Sequence, residues 1–93
     1  MSRAIRLKTY KQALKDWSNP VNDDTQFGFC QYFEYKGYFS YHHDFPELYA
    51  KGDVQKIGHY HYDGSGRIEN GRLQRVNALK EVIQEMEMEL GSN

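Results

Sequence analysis

The sequence predicts a mainly α fold in one small domain, residues 1–93, and two patterns carry that reading. Apolar residues recur three and four positions apart along the C-terminal quarter, and a shorter amphipathic pattern opens the chain. A chain of this length has material for one core, and helices that bury their apolar faces against each other are the simplest way to build it.

Taken in order, Ile5, Leu7, Tyr10, Ala13, Leu14 and Trp17 include the 7, 10, 14, 17 spacing of one helical face, with Arg3, Arg6, Lys8, Lys11 and Lys15 mostly off it. This predicts an N-terminal helix over Arg3–Trp17. Ser18, Asn19 and Pro20 stop it, because the Pro20 ring disfavours helical geometry at the preceding residue and lacks an amide hydrogen. A polar connector, residues 21–25, follows.

Residues 26–43 admit two readings. Phe27, Phe29, Phe33, Tyr35, Tyr38, Phe39 and Tyr41 favour strands, and Lys36-Gly37 is placed like a turn, so an α+β fold with an aromatic β-hairpin at about 27–43 is the alternative. Conversely, Asp23 followed by Gln26 resembles a capping box, and Phe27, Phe29, Cys30, Tyr32 and Phe33 also fall three and four apart. Residues 44–51 (DFPELYAK) read as a short helix with Asp44 as N-cap, Phe45 at the first position, Pro46 in the first turn and Gly52 as terminator. Residues 57–62 alternate like a short extended segment rich in aromatic rings, and Asp63, Gly64, Ser65 and Gly66 break it.

The C-terminal helix is expected over about residues 70–90. Val76, Leu79, Ile83, Met86 and Leu90 form its stripe, Leu73 and Val82 widen it, and Gly91 stands at the stop. Arg72 and Arg75 near its start and Glu81, Glu85, Glu87 and Glu89 near its end both oppose the helix macrodipole. Basic helix one is the expected partner of the acidic half, which would leave Arg72 and Arg75 available to an anion or a partner protein. The stripe itself serves packing within the chain or, with its strict spacing, a homodimer seam.

Composition narrows the function classes. Eight Tyr, five Phe and one Trp are a surplus of rings that suits half-buried shells and interfaces. A net charge of −1 disfavours a protein devoted to wrapping nucleic acid. Cys30 is alone, so no internal disulfide is expected, and the reducing cytoplasm is the expected location. With no apolar run of about 18 residues, neither a membrane span nor a secretory signal is expected.

His42, His43, His59 and His61 with Cys30, Asp44 and Asp63 are the residue types of a zinc site, but no CxxC or HxxxH pair is present, and no metal or other cofactor is expected. Cys30 with a histidine is the one nucleophile and base pair by residue type; on the apolar face of a helix, however, Cys30 would be a small core residue, so no catalytic residues are assigned and no enzymatic activity is expected. The candidate binding residues are Arg67, Arg72 and Arg75, which could converge on an anion at the DGSGR turn, and His59, Tyr60, His61 and Tyr62, whose rings could stack beside them.

Gly28-Phe29-Cys30, the FPELY run at residues 45–49, the aromatic segment at residues 60–63 and Gly71-Arg72-Leu73-Gln74-Arg75 leading into the last helix together resemble a group of small bacteriophage and prophage proteins. The resemblance covers roughly residues 25–85, with Tyr60-His61-Tyr62 standing where the group often carries Tyr-Trp-Phe. It implies a helix over residues 27–33 in place of the hairpin. It also implies an accessory protein that binds a host, defence or phage component, or itself, in the host cytoplasm. A ligand- or nucleotide-binding module built on the Arg, Tyr and His patch is the expectation from the other class.

Overall fold

The computed structural model describes residues 2–19, 21–25, 28–38, 40–51 and 67–91, with side chains of the last helix described for 72–89. Its elements are α1 (Arg3–Trp17), a 3-10 turn (Asp23–Thr25), α2 (Phe29–Tyr35), α3 (Tyr41–Asp44), α4 (Pro46–Tyr49) and α5 (Arg67–Gly91). The fold is mainly helical, and no strand occurs among the described residues. The extended aromatic segment and the turn at 63–66 lie outside those residues.

Helix α1 begins where Ser2 Oγ accepts the Ile5 amide at 3.2 Å, which satisfies one donor that the first turn leaves open. It closes where Ser18 donates its amide and its hydroxyl to Leu14 O, at 3.0 and 2.6 Å. Tyr10, Ala13 and Trp17 are fully buried, with Leu7 and Leu14 packed beside them. Ile5, expected on that face, is 53% exposed.

Helix α5 runs antiparallel to α1, with Trp17 beside Arg72 and Arg75 at one end and Arg3 beside Glu89 at the other. Val76, Leu79, Val82, Ile83 and Met86 fill the space between α5 and its neighbours; each such burial contributes about 1.5 to 3 kcal/mol. From Val76 to Met86 the regular stripe is therefore consumed within the chain and is not an open dimer seam; the Leu90 side chain lies outside the described residues. Leu73 departs from it and is 60% exposed, while Ala78 joins the core. Glu87 and Glu89 meet Lys11 and Arg3 of α1 as expected, and Lys51, just past α4, takes Glu85 at 2.7 Å and Glu81 at 4.0 Å. Pairs this exposed contribute at most about 1 kcal/mol each, enough in sum to offset an acidic C-terminal half.

The middle of the chain resolves as helix, not hairpin. Phe29, Tyr32 and Phe33 turn to one side at helical spacing and are all buried, whereas strand alternation would send Tyr32 and Phe33 to opposite faces. Cys30 lies between them and is exposed, so its expected place in the core is corrected. The capping box expected at Asp23 involves Gln26, which lies outside the described residues. Asp23 starts a separate 3-10 turn, in which Asn22 Oδ1 accepts the Asp24 amide at 2.9 Å, and α2 begins only after Gly28, with no side-chain cap.

Lys36-Gly37 does not connect two strands; it ends α2. Gly37 takes φ 97°, its amide donates to Glu34 O at 3.0 Å, and the Tyr38 amide reaches back to Phe33 O at 2.9 Å. That double closure is a Schellman stop, and the Tyr38 and Phe33 rings meet across it at 6.4 Å.

The expected helix at residues 44–51 is two short turns, α3 and α4, divided at Phe45 (φ −131°, ψ 60°). Asp44 is not the cap of the second: its carboxylate accepts the Ser40 amide at 3.4 Å, back across its own turn. Phe45 takes the cap position, Pro46 follows at the first turn where its missing amide hydrogen is harmless, and Gly52 lies outside the described residues. The break exists because Phe45 is drawn into the core, 0% exposed and stacked on Phe33 with centroids 4.1 Å apart.

Candidate binding cleft

The seam between α1 and the end of α2 opens into a cleft of about 530 Å³. One wall is the outward face of α1, where Lys8, Thr9, Lys11 and Gln12 fall on adjacent turns. The other is Tyr32 from α2, with Lys36 and Tyr38 from the glycine stop. Three lysines and two tyrosines thus line one depression, Tyr32 as a buried floor, and no carboxylate residue is part of its lining.

Its floor is held in place by acid groups just outside it. Tyr32 Oη donates to Asp16 Oδ2 at 2.6 Å, and Gln12 Nε2 donates to Asp16 Oδ1 at 3.1 Å. Lys36 Nζ sits 3.2 Å from Asp24 and 3.6 Å from Asp16, and 5.6 Å from the Tyr32 ring centroid. The Asp24 hydrogen bond raises the Lys36 pKa above its ordinary value, with burial opposing and Asp16 reinforcing. Burial first, then the bond to Asp16, pushes the Tyr32 phenol well above the usual tyrosine range. Lys36 is therefore anchored. Lys11 is more loosely held: it pairs with Glu87 at 3.2 Å, both side chains being about half exposed. Lys8 has no carboxylate of a described residue within 4.0 Å and is the most available cation of the three.

A second polar cluster ties α1 to α4. Arg6 Nε donates to both Glu47 oxygens, at 2.8 and 3.0 Å, and Tyr10 Oη donates to Glu47 Oε1 at 2.7 Å. Burial alone would raise the Glu47 pKa, but the Arg6 and Tyr10 hydrogen bonds outweigh it and hold the carboxyl below its ordinary range. Every partner is internal, so this cluster fastens α4 to the bundle and offers no free valence to a ligand.

Of the residues singled out from sequence, Arg72 and Arg75 are not available at the surface, which corrects the expectation that pairing of the acidic half leaves them open. Arg75 is 0% and Arg72 7% exposed. The Arg75 guanidinium lies over the Trp17 and Phe29 rings, and Arg72 donates to Trp17 O, Asn19 O and both oxygens of Thr25. The Arg67 side chain, His59, Tyr60, His61, Tyr62 and the rest of the DGSGR turn lie outside the described residues. His42 and His43 occupy one turn with ring centroids 4.5 Å apart, rather than pointing apart as on a strand. Among the described residues no group of three His, Cys, Asp or Glu side chains could hold a metal ion, and no helix is long and apolar enough to cross a membrane.

Sequence reasoning counted Lys8, Lys11 and Lys15 as solvated positions off the apolar face and missed that two of them border a cleft. The helical spacing was visible; the opposite wall was not, because it depends on where α2 stops. No family model, curated protein or solved structure matches this chain, so its site is read from its own geometry.

Proposed function

We propose that this is a non-enzymatic binding protein that acts by protein–protein contact, with the cleft between α1 and α2 as its contact surface. One observation carries the reading: Lys8, Lys11 and Lys36 converge with Tyr32 and Tyr38 on one opening of about 530 Å³, a size and chemistry suited to taking up part of another molecule. Tyrosine is enriched at contact surfaces and lysines at their rim steer a charged partner, whereas catalytic centres need a nucleophile or acid held against a base. The phage-like sequence pattern suggests a small accessory protein in the host cytoplasm, with a host, defence or phage component as its partner.

The test is capture of partners from host extract by tagged wild-type protein alongside a Lys8→Glu, Lys11→Glu variant, with sedimentation of the purified protein to register self-association. A partner, or a second copy, retained by wild type and released by the variant is the expected result. Retention that ignores the two charge reversals would move the contact surface elsewhere, and a monomer that retains nothing would end the reading.

A further inference from the structure

We propose that the cleft receives an extended, acidic peptide segment of a protein partner, with carboxylates on alternate residues meeting Lys8 and Lys11 and one apolar side chain lying on the half-buried Tyr38 ring. This inference rests on the reading of the cleft as a contact surface and adds the chemistry of its occupant.

The spacing is the first argument. Lys8 and Lys11 are neighbours three apart on α1, where side chains stand about 5 to 6 Å from each other at Cβ. Alternate side chains of an extended peptide repeat at about 6.7 Å on one face, a difference that flexible lysine stems absorb. Helix α1 therefore presents its cations at a pitch that an extended acidic segment reproduces.

Charge surrounding the cleft is the second argument, and it separates a peptide from a nucleic-acid strand. Asp16 and Asp24 flank one end through Lys36, Glu87 flanks Lys11, and the net charge of the chain is −1. A continuous run of phosphates would continue past the lysines onto these carboxylates. A peptide places negative charge only where an ammonium stands and an uncharged residue elsewhere. Lysines also present single-point charges instead of the planar fork with which arginine grips phosphate.

Exchange is possible without disturbing the core. Lys11 and Glu87 are 54% and 51% exposed, a surface pair that a ligand carboxylate can replace, and Lys8 has no described acid partner to leave. Lys36, held by two aspartates and lying over the buried Tyr32 ring, stays as a wall and leaves the half-buried Tyr38 ring to meet an apolar side chain.

The experiment is fluorescence anisotropy at low salt with three labelled probes: a short peptide alternating Glu with Ala around a central Leu, the same peptide with Ser for Glu, and an oligothymidylate of equal charge. Wild type should bind the acidic peptide, ignore the Ser peptide, and lose affinity as salt is added. Lys8→Glu with Lys11→Glu should weaken the complex by roughly tenfold or more, and Lys8→Glu alone, a change with no described ion pair to break, should weaken it in the same direction. Circular dichroism confirms that both variants fold. Equal binding by wild type and variants, tighter binding of the oligothymidylate, or no binding of the acidic peptide would each overturn the inference. A partner captured in a lysine-dependent way with no acidic peptide bound would overturn the occupant while leaving the contact surface standing; if neither is seen, both readings fall.

Discussion

The Arg75 guanidinium lies 5.2 Å from the centre of the Trp17 ring and is fully enclosed, with the Phe29 ring 5.7 Å away on another side. Arg72 approaches the same indole at 5.5 Å. Two cations from adjacent turns of α5 thus pack on the single tryptophan of the chain, where a desolvated cation over an aromatic face is worth about 2 kcal/mol or more. Arg75→Ala should therefore lower the unfolding free energy by about 3 kcal/mol, through the lost contact and the space left between two rings, measured by urea titration followed through Trp17 fluorescence. A loss below about 0.5 kcal/mol would show that the arrangement contributes little, as a surface substitution would.

Glu47 gives the fold a defined sensitivity to acid. Arg6 and Tyr10 hold its carboxyl below the ordinary range, so the folded state binds that proton less readily than the unfolded one. The resulting stability is present above the unfolded value of about 4.3 and is lost as pH falls through the lower folded value. Glu47→Gln should destabilise the protein at neutral pH by about 1 to 3 kcal/mol and flatten the fall in melting temperature on acidification. An unchanged slope in the variant would assign acid sensitivity to other carboxylates.

Three tyrosines should resist alkaline titration. Burial chiefly, with the Glu47 and Asp16 hydrogen bonds second, pushes Tyr10 and Tyr32 upward, and burial pushes Tyr41 upward in the same sense. Each then favours folding fully below the unfolded value of about 10, and that contribution is lost as pH rises through the folded values. Tyrosinate absorbance should show these phenols ionising only with unfolding, in a step that coincides with loss of helical circular dichroism. Ionisation of all eight tyrosines in one smooth curve before unfolding would contradict it.

Gly37 isolates a backbone effect. Its φ is 97°, yet a Cβ placed there would have no atom within 4 Å. Gly37→Ala should accordingly cost about 1 to 2 kcal/mol from conformation alone, and Gly37→Asn less, since asparagine tolerates left-handed geometry better. Equal stability of all three proteins in chemical denaturation would mean that the Phe33 to Tyr38 closure forms without the positive φ.

The two flanking helices were legible because their patterns are long. Tyr10, Ala13 and Trp17 repeat over several turns, as do Val76, Leu79, Ile83 and Met86, and the bounds of α1 follow from its apolar face and the serine and proline after it. The middle was ambiguous because α2 has only 7 residues, too few for period two and period 3.6 to separate, and because the rings there serve either element. Phe45 could not be foreseen as a break, since nothing local distinguishes it from an ordinary first-turn residue; its place is set by Phe33, twelve positions earlier. Arg72 and Arg75 were misjudged for a related reason. Charge predicts exposure on average, and the indole and backbone carbonyls that receive these guanidiniums come from α1 and the bend after it, far away in sequence. The cleft was illegible because its walls belong to separate elements.

Arg72 bonds to Trp17 O, 55 positions away, and to Thr25 Oγ1, 47 positions away. Its guanidinium is thus a clasp on a polar bend far upstream in sequence, and the apolar side of α1 has its main cover in a distant segment. A chain that has made α1 alone holds Trp17 without its lid. For a helical protein, whose contacts are ordinarily local, this makes the closing of α5 over α1 a long loop closure, slower than the formation of either helix.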